Sequence, residues 1–319
     1  MKAVVFEKYG GREVLELKDI PRPQPGEGEV LVKMKAASIN DWDWQALRGI
    51  PFANRTYFGL FRPSKIKVLG CDIAGVVESV GLGVSRFREG DEVFGDISGG
   101  KWGGFGEYTT AAEKYLSIKP QSISFEQAAA IPQGGVIALQ SLRIPGPVRK
   151  GEHILINGAG GGSGSFTIMM AKSMGAEVTG VDNKHKQEFM LSTGADHVLD
   201  YMQADYTAQG VEYDRIIDHV LNRPLSHLRR AMRLGGSGLI VGGKTGPIIK
   251  TFAFGKLGKK KLSVLLLRPN PKDLDAIVRM LTESVVTPAI DKVYPLERTG
   301  EGMKYFGESR HRGKVVIKI

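Results

Sequence analysis

The stretch LINGAGGGSGS, residues 155–165, constrains this chain more than any other. An apolar run, HILINGA (153–159), reads as a buried strand, and SFTIMMAKSMGA (165–176) reads as a helix. The glycines between them leave a turn that a ligand can approach closely. Gly158, Gly161, Gly162 and Gly164 are the candidates for that contact. A strand, a glycine-rich turn and a helix start in this order form a phosphate cradle, because the first N–H groups of a helix have no partner and carry a positive dipole end. Asp182 closes the next strand-like run, EVTGVD (177–182), about 20 residues on, where an acidic residue accepts from adenosine ribose hydroxyls. Together these features predict a dinucleotide site.

The surroundings carry the same pattern. In the helix, Phe166, Met169, Met170 and Met174 fall on one face, with Gly175 placed to end it. KHKQEFMLSTGA reads as a second helix, DHVLDY as a third strand, and YDRIIDHV (213–220) and GGSGLIVGG (235–243) as two more strands. Strands alternating with helices predict a parallel sheet covered on both faces. Upstream, SISFEQAAAIPQGGVIALQSLR reads as one helix with Ser124 as its N-cap. Residues 1–120 are different: VLVKMKAASI (30–39) and VLGCDIAGVVESVG read as strands, joined by turn-rich connectors such as RPQPGEGE (22–29). The tail ends in another strand and predicts a return to this β domain. The expected organisation is an α/β chain: a barrel-like β domain over 1–121 and 289–319, with a doubly wound parallel-sheet domain over 122–288 inserted in it.

Composition narrows the chemistry. The 319 residues are 42% hydrophobic and 24% charged, as in a folded globular protein. One cysteine, Cys71, excludes an internal disulfide and any structural zinc site built from several thiolates. Cys71 itself reads either as a small core residue or as a reactive thiol. There is no apolar run of membrane-spanning length and no signal-like N-terminus, so the expected location is cytoplasmic with no membrane partner. The net charge of +10, with clusters at KLGKKK (256–261) and LRRAMR (228–233), invites a nucleic-acid reading. Attraction of an anionic cofactor uses the same charge better.

With GEGEVLVKMKAASIND, VLGCDIAGVVESVG, FREGDEVFGD, GGFGEYTTAAEKYLSIKP, AAAIPQGGVIALQSL, INGAGGGSG, GADHVLDY and GKVVIKI in order, the whole chain resembles the medium-chain dehydrogenase/reductase superfamily. Within it, the chain is most similar to the zinc-free quinone oxidoreductases and enone reductases. The resemblance implies a GroES-like catalytic domain, a Rossmann domain, a cofactor in the cleft between them, and homodimers formed through an edge strand, here LSVLLLRP (262–269). It places Asn40, Cys71 and Gln133 where zinc-using relatives carry metal ligands, so no metal is expected. It also implies Asn40 and Asp43 as catalytic residues: Asn40 orients substrate or nicotinamide, and Asp43 relays a proton or stabilises the turn. Trp44, Phe52 and Tyr57 are the candidates for an apolar substrate wall. Gly242 joins the cofactor set. Lys186 and Tyr201 align with positions that hold the 2′-phosphate of NADPH, whereas Asp182 suits NAD; NADP(H) is favoured over NAD(H). The function implied is zinc-independent hydride transfer from NAD(P)H to quinones or α,β-unsaturated carbonyls. The alternatives are a zinc-independent alcohol dehydrogenase, or a dinucleotide-binding protein with an RNA or complex-interaction role.

Overall fold

A computed structural model describes residues 1–268 and 271–319. In chain order the strands are β1 (Lys2–Phe6), β2 (Leu15–Asp19), β3 (Glu29–Ile39), β4 (Asp72–Val80), β5 (Glu92–Asp96), β6 (Tyr108–Ala112) and β7 (Leu116–Ile118). Then come β8 (His153–Asn157), β9 (Glu177–Asp182), β10 (His197–Asp200), β11 (Tyr213–Asp218), β12 (Met232–Ile240) and β13 (Lys261–Val264), and finally β14 (Ile290–Pro295) and β15 (Lys314–Lys318). The chain divides into two compact units. The first is Met1–Gln133, Pro269–Val278 and Pro288–Ile319; the second is Gly134–Arg268 and Arg279–Thr287.

The first unit is the GroES-like one. Its larger sheet runs β14-β15-β3-β4-β5-β7, with β6 branching from β3. The C-terminal strand does return: β15 pairs antiparallel with β3, Val315 opposite Ile39. The long strand β3 supports β4, β6 and β15, and its inward side chains Val30, Val32, Met34, Ala37 and Ile39 are fully buried in the core.

The second unit holds six parallel strands in the order β10-β9-β8-β11-β12-β13. This is the Rossmann arrangement, with β8 and β11 meeting where the winding reverses. Ile154, Leu155 and Ile156 on β8 are all fully buried, as a central strand covered on both faces requires. The edge strand expected over 262–269 is the shorter β13, bonded to β12 on one side only; Pro269 lies outside the described residues.

Two local expectations change. The helix read across 122–143 is two helices, Phe125–Ala129 and Pro132–Arg143. Ser124 does cap the first, its Oγ accepting from Gln127 N–H at 3.1 Å. Pro132 sets the break: it lacks an N–H and clashes with a preceding turn, but is suited to the first position of a new helix. The helix after the glycine-rich turn, Gly162–Ser173, buries Thr167, Ile168 and Ala171 as well as Phe166 and Met170, while Met169 and Met174 are half-buried. It is enclosed over most of its circumference, so no single apolar stripe describes it.

Candidate active site

Two constellations emerge, one in each unit. In the first unit β3 ends at Ile39, and Asn40 caps the helix Asp41–Arg48. The Asp43 carboxylate folds back to accept from Asn40 N–H and from Gly70 N–H, both at 2.8 Å. Gly70 has φ +94°, and a Cβ there would lie 2.8 Å from Gly104 Cα, so only glycine brings this N–H to Asp43. Burial pushes the Asp43 carboxyl up to about 7, against the two N–H bonds that hold it down.

Next to it lies Cys71. Asn40 Nδ2 approaches its sulfur at 3.5 Å and Gln133 Nε2 at 3.7 Å. The thiol is fully buried, and its pKa is raised by that burial and then by the neighbouring carboxylates of Asp43, Asp96 and Asp72. It is a neutral, inward-facing group. Cys71, Asp72 and Asp96 bring three potential ligand atoms within 4.8 Å of one another. Asp72, however, is already engaged. Its Oδ1 accepts from Gln133 N–H at 3.0 Å, and its Oδ2 lies 3.3 Å from Ser38 Oγ and 3.2 Å from the ammonium of Lys314.

Lys314 is the residue sequence reasoning missed. Its ammonium, 4% exposed, also donates to Asn40 Oδ1 at 2.5 Å. The only signal was a lysine opening the strand KVVIK, directly before its apolar middle. This contact fixes the Asn40 amide: an ammonium needs the oxygen, so the NH₂ end must point the other way.

The three aromatic residues read as a substrate wall go to different places. Trp44 packs on Gly307, where a Cβ would lie 2.4 Å from its ring, and carries the Arg48 guanidinium over its face. Phe52 is exposed beside Arg55. Tyr57 donates to the carbonyls of Ser98 and Gly100 and borders a cavity of about 290 Å³ with Lys65, Ile66 and Lys101. Its ring meets Phe58, which meets Trp102, on which Trp42 stacks.

In the second unit the glycine-rich turn is built as its glycines require. Gly158 has φ +81°. A Cβ on Gly164 would lie 2.2 Å from the Gly158 carbonyl oxygen and 2.6 Å from Ala159 Cα. The first helical bond is Ser165 N–H to Gly161 O, at 3.0 Å. The N–H groups of residues 162–164 therefore precede the ladder, at the positive end of a 12-residue helix. These residues fit a diphosphate. Gly242 follows β12, where a Cβ would lie 2.7 Å from the His219 carbonyl oxygen.

Asp182, at the end of β9, accepts from Gly160 N–H at 3.1 Å and Asn183 N–H at 2.9 Å, and its Oδ1 is 3.4 Å from Lys186 Nζ. Both members of this pair are buried. Tyr201 follows β10, its N–H bonded to Asp182 O, and Arg223 donates to the Tyr201 carbonyl at 3.4 Å. Sequence reasoning named Asp182, Lys186 and Tyr201 but not Arg223, which lies on a loop after β11.

Known families match this architecture. A family model described as alcohol dehydrogenase GroES-like domain matches residues 26–121, and one described as zinc-binding dehydrogenase matches residues 193–317. The chain is 32% identical to the chloroplast envelope quinone oxidoreductase homolog of Arabidopsis thaliana, covering 100% of this chain and 98% of the relative. It is 30% identical to the chloroplastic NADPH-dependent alkenal/one oxidoreductase of the same plant, covering 99% and 79%. Among solved structures, an NAD-dependent alcohol dehydrogenase superposes with a TM-score of 0.84 at 30% identity, with full coverage of both chains. The chain belongs to the medium-chain dehydrogenase/reductase superfamily, in its quinone oxidoreductase branch. It is a member of a family of oxidoreductases that includes quinone and alkenal reductases.

Proposed function

We propose that this chain reduces quinones or α,β-unsaturated carbonyls with NAD(P)H, without a metal. The observation that carries the reading is the Asn40–Lys314–Asp72 arrangement, where zinc-using relatives place their metal. A zinc ion needs three protein donors free to face it. Here Asn40 and Gln133 are amides, and Asp72 is bonded on both oxygens, one of them to an ammonium that already supplies the cation. The donor set does not fit a dication, although one matching family is described as zinc-binding.

A reduced nicotinamide, when bound, supplies the hydride. This chain's residues bind, orient and stabilise. The backbone N–H groups of residues 162–164, which precede the helical ladder, would hold the diphosphate. Lys314 holds the Asn40 oxygen, so the amide NH₂ faces a weak sulfur acceptor that a carbonyl oxygen outcompetes. That N–H is placed to stabilise negative charge developing on an accepting oxygen. Quinones and enones delocalise this charge and need no Lewis acid, unlike an alcohol, whose proton must first be removed.

For the nucleotide, NADPH is favoured. The Asp182 carboxylate is neutralised by Lys186 and tied to two backbone N–H groups, so it repels a 2′-phosphate less than a free carboxylate does, and Arg223, itself 3.6 Å from Asp205, stands beside Tyr201. The likeness to an NAD-dependent alcohol dehydrogenase supports a second reading, metal-independent alcohol oxidation with NAD. The proposed setting is the cytoplasm, and among the described residues no helix is long and apolar enough to cross a membrane.

The test is oxidation of NADPH and NADH against a panel of quinones and enones in the presence of a chelator. Turnover without metal is expected, faster with NADPH, and Asn40→Ala should lower kcat by on the order of 100-fold. No turnover on any acceptor defeats the reading. Faster turnover with NADH overturns the nucleotide preference, and alcohol oxidation surviving the chelator favours the second reading.

A further inference from the structure

The turn that closes β11, from Asp218 to Leu221, is held more tightly than a connection between two elements requires. Asp218 is fully buried, and its Oδ1 accepts from Val220 N–H at 3.0 Å and from Leu221 N–H at 2.7 Å. Leu221 has φ +51°, a left-handed backbone that is costly for a residue with a side chain, and it is buried in the core of the second unit. On one side the turn leans on the glycine-rich turn after β8. There His219 N–H bonds to Asn157 O at 3.0 Å, and a Cβ on Gly158 would lie 3.2 Å from His219 Cβ. On the other side it leans on the turn after β12, where a Cβ on Gly243 would lie 2.6 Å from Leu221 Cβ. Strain of this kind persists only where the surroundings enforce it.

What the turn holds in place is His219. It is the first residue beyond the carboxyl end of β11, and β11 pairs with β8 where the winding reverses. An open parallel sheet leaves its ligand crevice at that point. The residue is half-buried, and its Nε2 is enclosed with no hydrogen-bond partner among the described residues. Two other enclosed nitrogens in this unit, Arg223 Nε and His227 Nδ1, at least have Asp205 at 3.6 Å. His219 has no such neighbour. Burial alone pushes its pKa down to about 4, so at neutral pH the ring is uncharged and keeps one N–H to donate. An enclosed ring nitrogen without a partner destabilises the unliganded fold, and an apolar side chain in the same space carries no such penalty. Packing therefore does not account for a histidine here.

The neighbouring turn names the partner. Residues 158–164, GAGGGSG, contain no cationic side chain, so a phosphate there meets backbone N–H groups and whatever side chains stand beside them. His219 stands beside Gly158, and a half-buried ring can change rotamer and turn an N–H toward a ligand without moving the backbone. We propose that His219 donates its imidazole N–H to a phosphate oxygen of the dinucleotide, as a side-chain donor beside the backbone N–H groups of residues 162–164. The proposal rests on the dinucleotide reading above and adds to it a residue that pays in stability for binding.

The experiment is titration of the full chain with NADPH, with NADH, and with ADP-ribose, which keeps the diphosphate and lacks the nicotinamide. His219→Leu removes the donor and keeps the bulk. His219→Gln returns an amide N–H near the place of Nε2. The leucine variant should bind all three ligands at least about tenfold more weakly, as for a lost hydrogen bond to a charged oxygen, and the glutamine variant should recover to within about threefold of wild type. Without ligand, the leucine variant should melt at the wild-type temperature or about 2 °C above it, since the enclosed orphan nitrogen is gone. A histidine with a purely structural role would lose stability and affinity together. The proposal is overturned by wild-type affinity in the leucine variant, by a loss that spares ADP-ribose, by a glutamine variant as weak as the leucine one, or by an unliganded Tm that falls with the affinity. A wild type that binds none of the three ligands defeats the dinucleotide reading itself, and the proposal with it. A wild type that binds them beside an unaffected leucine variant removes His219 alone.

Discussion

Lys314 carries the largest single consequence at the residue scale. Its ammonium is the counter-charge to Asp72, which is fully buried. Removing one partner of a buried ion pair strands the other. Lys314→Met should therefore destabilise the first unit by about 3–5 kcal/mol in urea unfolding, and a loss below about 1 kcal/mol would mean that Asp72 finds another partner. Asp43 gives a second prediction. Its folded-state pKa, about 7, lies above the ordinary 3.8, so the folded chain binds the proton more tightly than the unfolded one. Stability from this group is full below the unfolded value and falls as pH rises through about 7. Asp96 shifts in the same direction, raised by burial and then by Asp72. Below about 6.5 the buried His219, held down to about 4, works the opposite way. On lowering the pH from about 8 to about 6.5, the Tm should rise, and Asp43→Asn should flatten that rise. A Tm that is level or falls over this range would contradict the assignment.

At the scale of elements, the phosphate loop and the strand behind it make separable predictions. Gly164 is where the helix start presses on the turn, with no room for a Cβ. Gly164→Ala should force the loop open and weaken NADPH binding by at least about tenfold, read by nucleotide titration. Unchanged affinity would show that the loop does not hold the diphosphate. On β11, Arg215 is buried and satisfied by Glu152 and by the carbonyls of Leu142, Ile144 and Gly146. Glu152→Ala should cost about 3–5 kcal/mol in unfolding of the second unit while sparing the geometry of Asn40 and Asp43. Elements were also where sequence reading was strongest. Five of the six parallel strands were legible from apolar runs, because each run records its own burial; the edge strand β13 came only from the family resemblance. The break at Pro132 was legible in principle, since proline has no N–H to give. The nearly all-round burial of Gly162–Ser173 was not, because small residues such as Thr167 and Ala171 carry no strong periodic signal.

For the whole molecule, the resemblance-based expectation of a homodimer remains a proposal. It rests on β13, which among the described residues pairs with no strand but β12, its outer edge meeting only the loop at Gly255 through Leu262 N–H. Light scattering should give twice the 34.7 kDa chain mass. A mass of one chain at micromolar concentration would remove the edge strand from any such role.

What the sequence determined by itself was everything written in local order. The strand–glycine turn–helix run set the expected nucleotide site and the alternation set the sheet, while the expected chemistry came through the family resemblance, which puts amides at Asn40 and Gln133. Tertiary structure decided what meets across distance. Lys314 lies 274 residues from Asn40. It reaches Asn40 because β15 pairs with β3 in the register that sets Val315 against Ile39, which brings the next positions, 314 and 40, together. It was likewise tertiary structure that sent Trp44, Phe52 and Tyr57 to three different neighbourhoods, tied Lys186 to Asp182, and put Arg223 beside Tyr201. A periodic pattern records which way a side chain faces. The partner it meets depends on sheet register and loop path, which no local pattern encodes.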